Sequence, residues 1–255
     1  MEYTTLGRTG LRVSVAGLGC GGFSQLGLGS GKTEADAIGI IRGAVEFGVN
    51  LFDTAAAYGT EPVLGKALKG VPRDQVIICT KAPFGVSNPN SPPERAVASL
   101  DRSLRELDTD YIDIVLMHVM MSDDWTTRYR RTMDVLSEAK AKGWIRAHGC
   151  SCHSIGALRA AAASPWVEVD LVRMNPAQLH MDADPKTVLT VIREMRAKGK
   201  GVVGMKILGQ GELRDRPDDA LHFALSLGTL DAFTIGAENI GEQKDLIRRI
   251  AAVRV

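Results

Sequence analysis

Four polar side chains in this 255-residue chain are of types that together could move a proton. Asp53 ends the apolar run 50–53, Tyr58 follows five residues later, Lys81 emerges directly behind 76–80, and His118 closes 112–118. Tyrosine is a poor acid or base near neutrality, with an unperturbed pKa of about 10. A lysine held against its hydroxyl favours the phenolate and lowers that value. Asp53 can hold such a lysine in place. An acid at the tip of a buried strand is costly unless a cation meets it, so Asp53 is expected to pair with Lys81. His118 can then donate a hydrogen bond that orients a substrate oxygen. The set suits protonation of a carbonyl oxygen as it becomes an alkoxide. It contains no reductant, which a cofactor must supply. Taken singly, Asp53 could be a helix cap, Tyr58 a loop aromatic and His118 a satisfied core histidine. Ionisable residues at three consecutive strand ends favour the joint reading.

Positioning these groups requires strands that end on one face. Eight apolar runs (15–19, 50–53, 76–80, 112–118, 145–149, 170–174, 202–206 and 232–236) alternate with helical patterns. Strand–helix alternation implies parallel pairing with right-handed crossovers, and eight units close naturally into a (β/α)8 barrel, an α/β fold whose reacting groups sit at the C-terminal strand ends. A doubly wound sheet is the rival, but "GLGCGGF" (17–23) lacks the G-x-G-x-x-G spacing and no helical pattern opens behind it. The segment "YTTLGRTGLRVS" is expected to form a short N-terminal β-hairpin. Ser91 is expected to cap a helix whose buried stripe is Val97, Leu100, Leu104 and Leu107. A single domain spanning 1–255 accounts for the length.

Bulk properties narrow the partners. With 31 basic against 30 acidic residues, the formal net charge is +1, which removes the electrostatic argument for nucleic acid. No apolar run approaches the ~20 residues of a membrane span, and the N-terminus lacks signal-peptide features. Four scattered cysteines suit a reduced, cytoplasmic setting. Cys150 and Cys152 form a C-x-C pair, but without a second cysteine pair at ligand spacing no metal is expected.

"GVNLFDTAAAYG", "ICTKAPFG" and "DIVLMHVM", in that order, resemble the Asp, Tyr, Lys and His blocks of the aldo-keto reductases. The similarity continues through "GLRVSVAGLGCGGF", "AKGWIRAHGCSCHS" and "FTIGAENIGEQKDLI", covering nearly the whole chain. The resemblance implies NAD(P)H-dependent reduction of an aldehyde or ketone, or the reverse alcohol oxidation. Tyr58 would be the proton donor, Lys81 its pKa-lowering partner, Asp53 the partner of Lys81, and His118 the substrate-orienting residue. Hydride would pass from the nicotinamide to the carbonyl carbon, with no metal.

The resemblance also implies a cofactor set. Ser151 and Cys152 stand where the family carries a Ser-Asn pair for the nicotinamide carboxamide. Arg173 stands at a frequent Gln position, with Asn175 two residues on. Met205 replaces the aromatic that covers the nicotinamide, and Lys206 follows it. Gly236, Ala237, Glu238, Gln243 and Lys244 fall in the last loop and helix, at the adenosine end. There Glu238 and Glu242 occupy places where NADPH-preferring members have bases, with Lys244 as a compensating cation. NADP(H) is slightly favoured and NAD(H) remains possible. Phe23, Phe84 and Trp125 lie on loops expected to shape the substrate pocket, and the small Ala55, Ala56 and Ala57 to leave room for the reactants. The chain's end at Val255 implies a pocket without the family's C-terminal cover. The partner is a small carbonyl compound or alcohol. Two other classes share these features: a cofactor-binding regulatory subunit without turnover, and a lyase using Lys81 as a Schiff-base amine.

Overall fold

A computed structural model describes residues 1–82 and 90–253. The chain opens with an antiparallel hairpin of β1 (Tyr3–Thr5) and β2 (Arg12–Ser14). Then follow β3 (Ala16–Gly19), α1 (Glu34–Glu46), β4 (Leu51–Asp53), α2 (Glu61–Leu68) and β5 (Ile77–Ala82). Next come α3 (Pro93–Glu106), β6 (Ile112–Met120), α4 (Trp125–Arg128), α5 (Arg130–Ala141) and β7 (Ile145–Cys152). The rest comprises α6 (Ile155–Ala163), β8 (Val169–Arg173), α7 (Pro185–Ala197), β9 (Gly201–Met205), α8 (Pro217–Ser226), β10 (Ala232–Ile235) and α9 (Ile240–Ala252). Among the described residues, β3 to β10 form a closed eight-stranded parallel barrel, in which β10 pairs with both β3 and β9. This is the (β/α)8 architecture, and the hairpin stands at its N-terminal end. No helix among the described residues is long and apolar enough to cross a membrane.

Two apolar layers follow from the two-residue period of the strands. Leu51, Ile77, Ile114, Leu116, Val169 and Leu171 pack inside the barrel. Their alternates, such as Phe52, Ile78, Val115 and Val172, pack outward against the helices. The hairpin closes the floor: Leu6, Leu11 and Val13 are buried in the inner cluster. Between Leu6 and Leu11 the chain turns at Gly7, with φ +49, and a Cβ there would stand 2.3 Å from the Gly201 nitrogen. A side chain at Gly7 would therefore collide with β9 backbone.

Helix termini follow local chemistry. Thr33 and Asp36 form a reciprocal capping box on α1, and Asp184 and Asn239 cap α7 and α9 through their side chains. The α3 start differs from the sequence expectation. Pro92, not Ser91, occupies the cap position, and Pro93 opens the helix without a side-chain cap. Leu100 and Leu107 are buried and Leu104 packs against the core as expected, whereas Val97 is 37% exposed and Ala96 takes its place on the buried face of α3.

Candidate active site

Strand register brings the polar groups together. Asp53 lies opposite Cys79, so Lys81, two residues further along β5, shares its face one step nearer the mouth. The inward face continues from Leu51 to Asp53, from Cys79 to Lys81, from Leu116 to His118 and from Ala147 through Gly149 to Ser151. Lys81 is 1% exposed, and its Nζ donates to Asp53 Oδ1 at 2.5 Å and to the Thr54 carbonyl at 2.8 Å. The same Nζ stands 5.1 Å from the centre of the Tyr58 ring. The His118 ring meets Tyr58 edge-on, with centroids 5.6 Å apart.

Local backbone explains how each group is held. Tyr58 closes a one-turn helix, Ala56–Tyr58, that ends at Gly59 with φ +70. Ala55 is fully buried at the start of that turn, and Ala56 and Ala57 belong to it. A Cβ on Gly21 would lie 2.2 Å from two Tyr58 ring atoms, so only glycine lets the β3–α1 loop sit against the ring. Beyond His118, β6 shifts register between Met117 and Met120, and Val119 takes φ +60. A β-branched residue in that region is strained by about 1–3 kcal/mol and is commonly found at functional sites. Ser151 Oγ accepts the Val119 N–H at 3.0 Å and anchors this bulge.

Electrostatics set the protonation states. Burial works against the Lys81 charge, but Asp53 and Tyr58 outweigh it, and the pKa is raised, so the ammonium persists. Burial raises the Tyr58 pKa, and the opposing pull of Lys81 does not cancel it. The sequence expectation of a lowered value is thus reversed in sign, because the ring is largely withdrawn from water. Tyr58 rests as a neutral phenol with its proton in place. Burial, with Lys81 adding repulsion, lowers the His118 pKa to about 4, so its imidazole is neutral at pH 7. The arrangement can therefore offer two neutral hydrogen-bond donors beside a fixed cation.

A cleft of about 150 Å³, open to solvent on one side, leads from Asp53 and Tyr58 to Glu238 and Glu242. Gly19, Gly21, Gly22 and Gly236 leave its floor open to close approach, and Met205, Lys206 and Ala237 line it. Lys206 and Arg214 are the basic side chains among its lining residues, and either could meet an anionic group of a cofactor. Phe23, 69% exposed, also lines the cleft.

Other expected residues lie elsewhere. Cys152 points away from the barrel interior, because alternation after inward-facing Ser151 turns it into the helix–sheet layer. The Arg173 guanidinium is inward but tied to Asp182 from the β8–α7 loop. Asn175 donates to the Leu179 and Lys206 carbonyls at 2.8 and 3.3 Å and accepts from Leu179 N at 3.0 Å. It staples two loops, and its amide donors are spent on backbone. Gln243 is buried behind the cleft, facing Gly43 of α1. Lys244 lies over the Phe47 ring at 5.9 Å and supplies no cation to the cleft. Trp125 is fully buried, donating to the Ala157 carbonyl at 3.2 Å, and belongs to the core. Phe84 lies outside the described residues.

One residue escaped the sequence reading. Arg214, from the β9–α8 loop, pairs with Glu238 at 3.1 Å and Glu242 at 2.8 Å at the far end of the cleft. Its signal was weak, one of three bases (Lys206, Arg214 and Arg216) in a long loop. His153, just past β7, has its pKa lowered to about 3, chiefly by burial and then by the nearby charges of Arg173 and Lys206.

Comparison with known proteins agrees with this geometry. The sequence model described as "Aldo/keto reductase family" matches residues 17–225. L-galactose dehydrogenase of Arabidopsis thaliana is 31% identical over 229 residues, 87% of this chain and 70% of that protein. Aldo-keto reductase YhdN of Bacillus subtilis is 37% identical over 163 residues, 61% of this chain, and the match spans about half (48%) of that relative's length. Among solved structures, aldo-keto reductase PA4992 from Pseudomonas aeruginosa superposes with a TM-score of 0.80 at 26% identity, covering 98% of this chain and 94% of that one. The holo form of aldo-keto reductase AKR11C1 from Bacillus halodurans shares the fold, with a TM-score of 0.81 at 23% identity, covering 100% of this chain and 92% of that one.

Proposed function

The chain belongs to the aldo/keto reductase family, and from that premise we propose that it interconverts a carbonyl compound and its alcohol, using a nicotinamide cofactor, with Tyr58 as the proton donor. The observation that carries this reading is the buried Lys81, fixed by Asp53 and Thr54 and held beside the Tyr58 ring. The cofactor, when bound, supplies the hydride.

The chain's residues supply the rest. The neutral imidazole of His118 donates to the substrate oxygen and aims it at Tyr58. The phenol, protonated at rest, gives its proton to that oxygen as negative charge develops. The phenolate left behind is stabilised by Lys81, whose charge is balanced by Asp53. In the oxidative direction the same phenolate takes the alcohol proton. Gly21 and the Ala56–Tyr58 turn keep the phenol at the mouth, and Ser151 holds the bulge behind His118.

We infer from the charges at the far end of the cleft a preference for NAD(H), where the sequence leans slightly to NADP(H). Two carboxylates, Glu238 and Glu242, face one guanidinium, Arg214, which leaves a net negative rim. Lys244 does not offset it. A 2′-phosphate dianion is repelled there, whereas a free ribose 2′-hydroxyl finds an acceptor, as an acidic residue provides in other dinucleotide sites. Fluorescence titration with NADH and NADPH, followed by turnover against a carbonyl panel, tests both parts. NADH should bind at least tenfold more tightly, and Glu242→Gln should narrow that ratio. Tighter NADPH binding would overturn the preference, and absence of turnover with either cofactor would overturn the enzyme reading.

A further inference from the structure

A second polar cluster lies on the opposite side of the β7 strand wall. Cys150 and Cys152, both fully buried, flank Ser151 and point outward into the helix–sheet layer. Asp170 of β8 lies directly opposite Cys150 in the strand register and is also fully buried. Its Oδ2 is 3.1 Å from each sulfur, and the sulfurs are 3.7 Å apart. Its Oδ1 is buried and has no hydrogen-bond partner among the described residues. The donor atoms lie within 4.8 Å of one another.

We propose that Cys150, Cys152 and Asp170 form a buried structural zinc site, separate from the reaction centre. Two sulfurs bound tetrahedrally to zinc at about 2.3 Å stand about 3.8 Å apart, close to the spacing here. Chelation by both carboxylate oxygens completes four donors and gives Oδ1 the partner it lacks. Thiolate with carboxylate is a donor mixture that suits borderline-soft zinc better than magnesium or calcium. Binding converts two thiols to thiolates and releases their protons to solvent. Two thiolates and a carboxylate around a dication leave one negative charge. The sequence reading dismissed the C-x-C pair for want of further ligands. The missing donor comes from the neighbouring strand. Because the site is sealed, the ion enters as the chain folds, and its effect is to clamp β7 to β8 behind Ser151.

The test uses the full chain, expressed with zinc in the medium and desalted through a mild chelator. Plasma mass spectrometry should find close to one zinc per chain, and refolding with cobalt should give thiolate-to-cobalt absorption in the near ultraviolet. Asp170→Asn, nearly isosteric, and Cys152→Ser should each lower retained zinc at least tenfold, with NADH binding as the check that the barrel has folded. Thiol titration in denaturant after chelation should count all four cysteines. Wild-type protein retaining less than a tenth of an equivalent overturns the proposal. So does zinc retained equally by folded Asp170→Asn, or a count of two thiols, which would mean that Cys150 and Cys152 form a disulfide.

Discussion

Removing Asp53 isolates a buried charge, and the cost can be reasoned from the geometry. The Lys81 side chain is 1% exposed and the Asp53 side chain 9%, with 2.5 Å between Nζ and Oδ1. In Asp53→Asn the ammonium keeps the Thr54 carbonyl but loses its counter-charge. Deleting one partner of a buried pair costs about 3–5 kcal/mol, because the other charge is stranded. Removing both avoids the stranded charge, so Asp53→Asn/Lys81→Met should be no less stable than Asp53→Asn alone. The assay is urea denaturation of wild type, both single variants and the double, read as a double-mutant cycle. An interaction energy of about 2 kcal/mol or more is expected. Burial also drives an unpaired lysine toward its neutral form. The pH–rate profile of Asp53→Asn should therefore gain a dependence on Lys81 titration below the usual lysine range. Loss of less than about 1 kcal/mol, or strict additivity in the cycle, would refute the reasoning that Asp53 exists to hold Lys81.

Further expectations concern His118 and Gly21. The folded His118 pKa of about 4 lies below its ordinary value of 6.5, so the unfolded chain takes up the proton first as pH falls. Its contribution is fully present above pH 6.5 and is lost between there and about pH 4, a change of about 3 kcal/mol at 1.36 kcal/mol per unit. His118→Gln should flatten that part of the stability–pH curve in chemical denaturation; an unchanged curve contradicts the assignment. Gly21→Ala should push the Tyr58 ring aside, given the 2.2 Å approach of the added Cβ, and lower kcat well beyond any change in NADH affinity. Equal losses in both would place the effect in cofactor binding.

The barrel was legible because buried parallel strands read as short apolar runs between helical patterns, and all eight of those runs are strands. The clustering of Asp53, Tyr58, Lys81 and His118 was legible for a related reason: Asp53, Lys81 and His118 lie at or near the ends of consecutive strands, and inward facing follows from counting by two. Elsewhere the same counting was not carried through. Cys152 directly follows inward-facing Ser151 and so must face outward. Helix rotation misled at Gln243 and Lys244, where a step of 100° per residue separates the cleft from the α1 contact. Trp125 and Asn175 sit in loops in the pattern, yet one fills the core and the other ties backbone to backbone. The Tyr58 pKa needed the balance of burial against Lys81, which residue types alone do not supply.

The central claim is that Tyr58 gives the proton during hydride transfer. Single-turnover mixing of the enzyme, NADH deuterated at the transferring position and an aldehyde tests it most directly. Wild type should place deuterium on the carbonyl carbon. Tyr58→Phe should bind NADH unchanged and transfer deuterium about 10²–10⁴ times more slowly, the usual worth of a positioned general acid. Transfer at the wild-type rate in Tyr58→Phe would contradict the account.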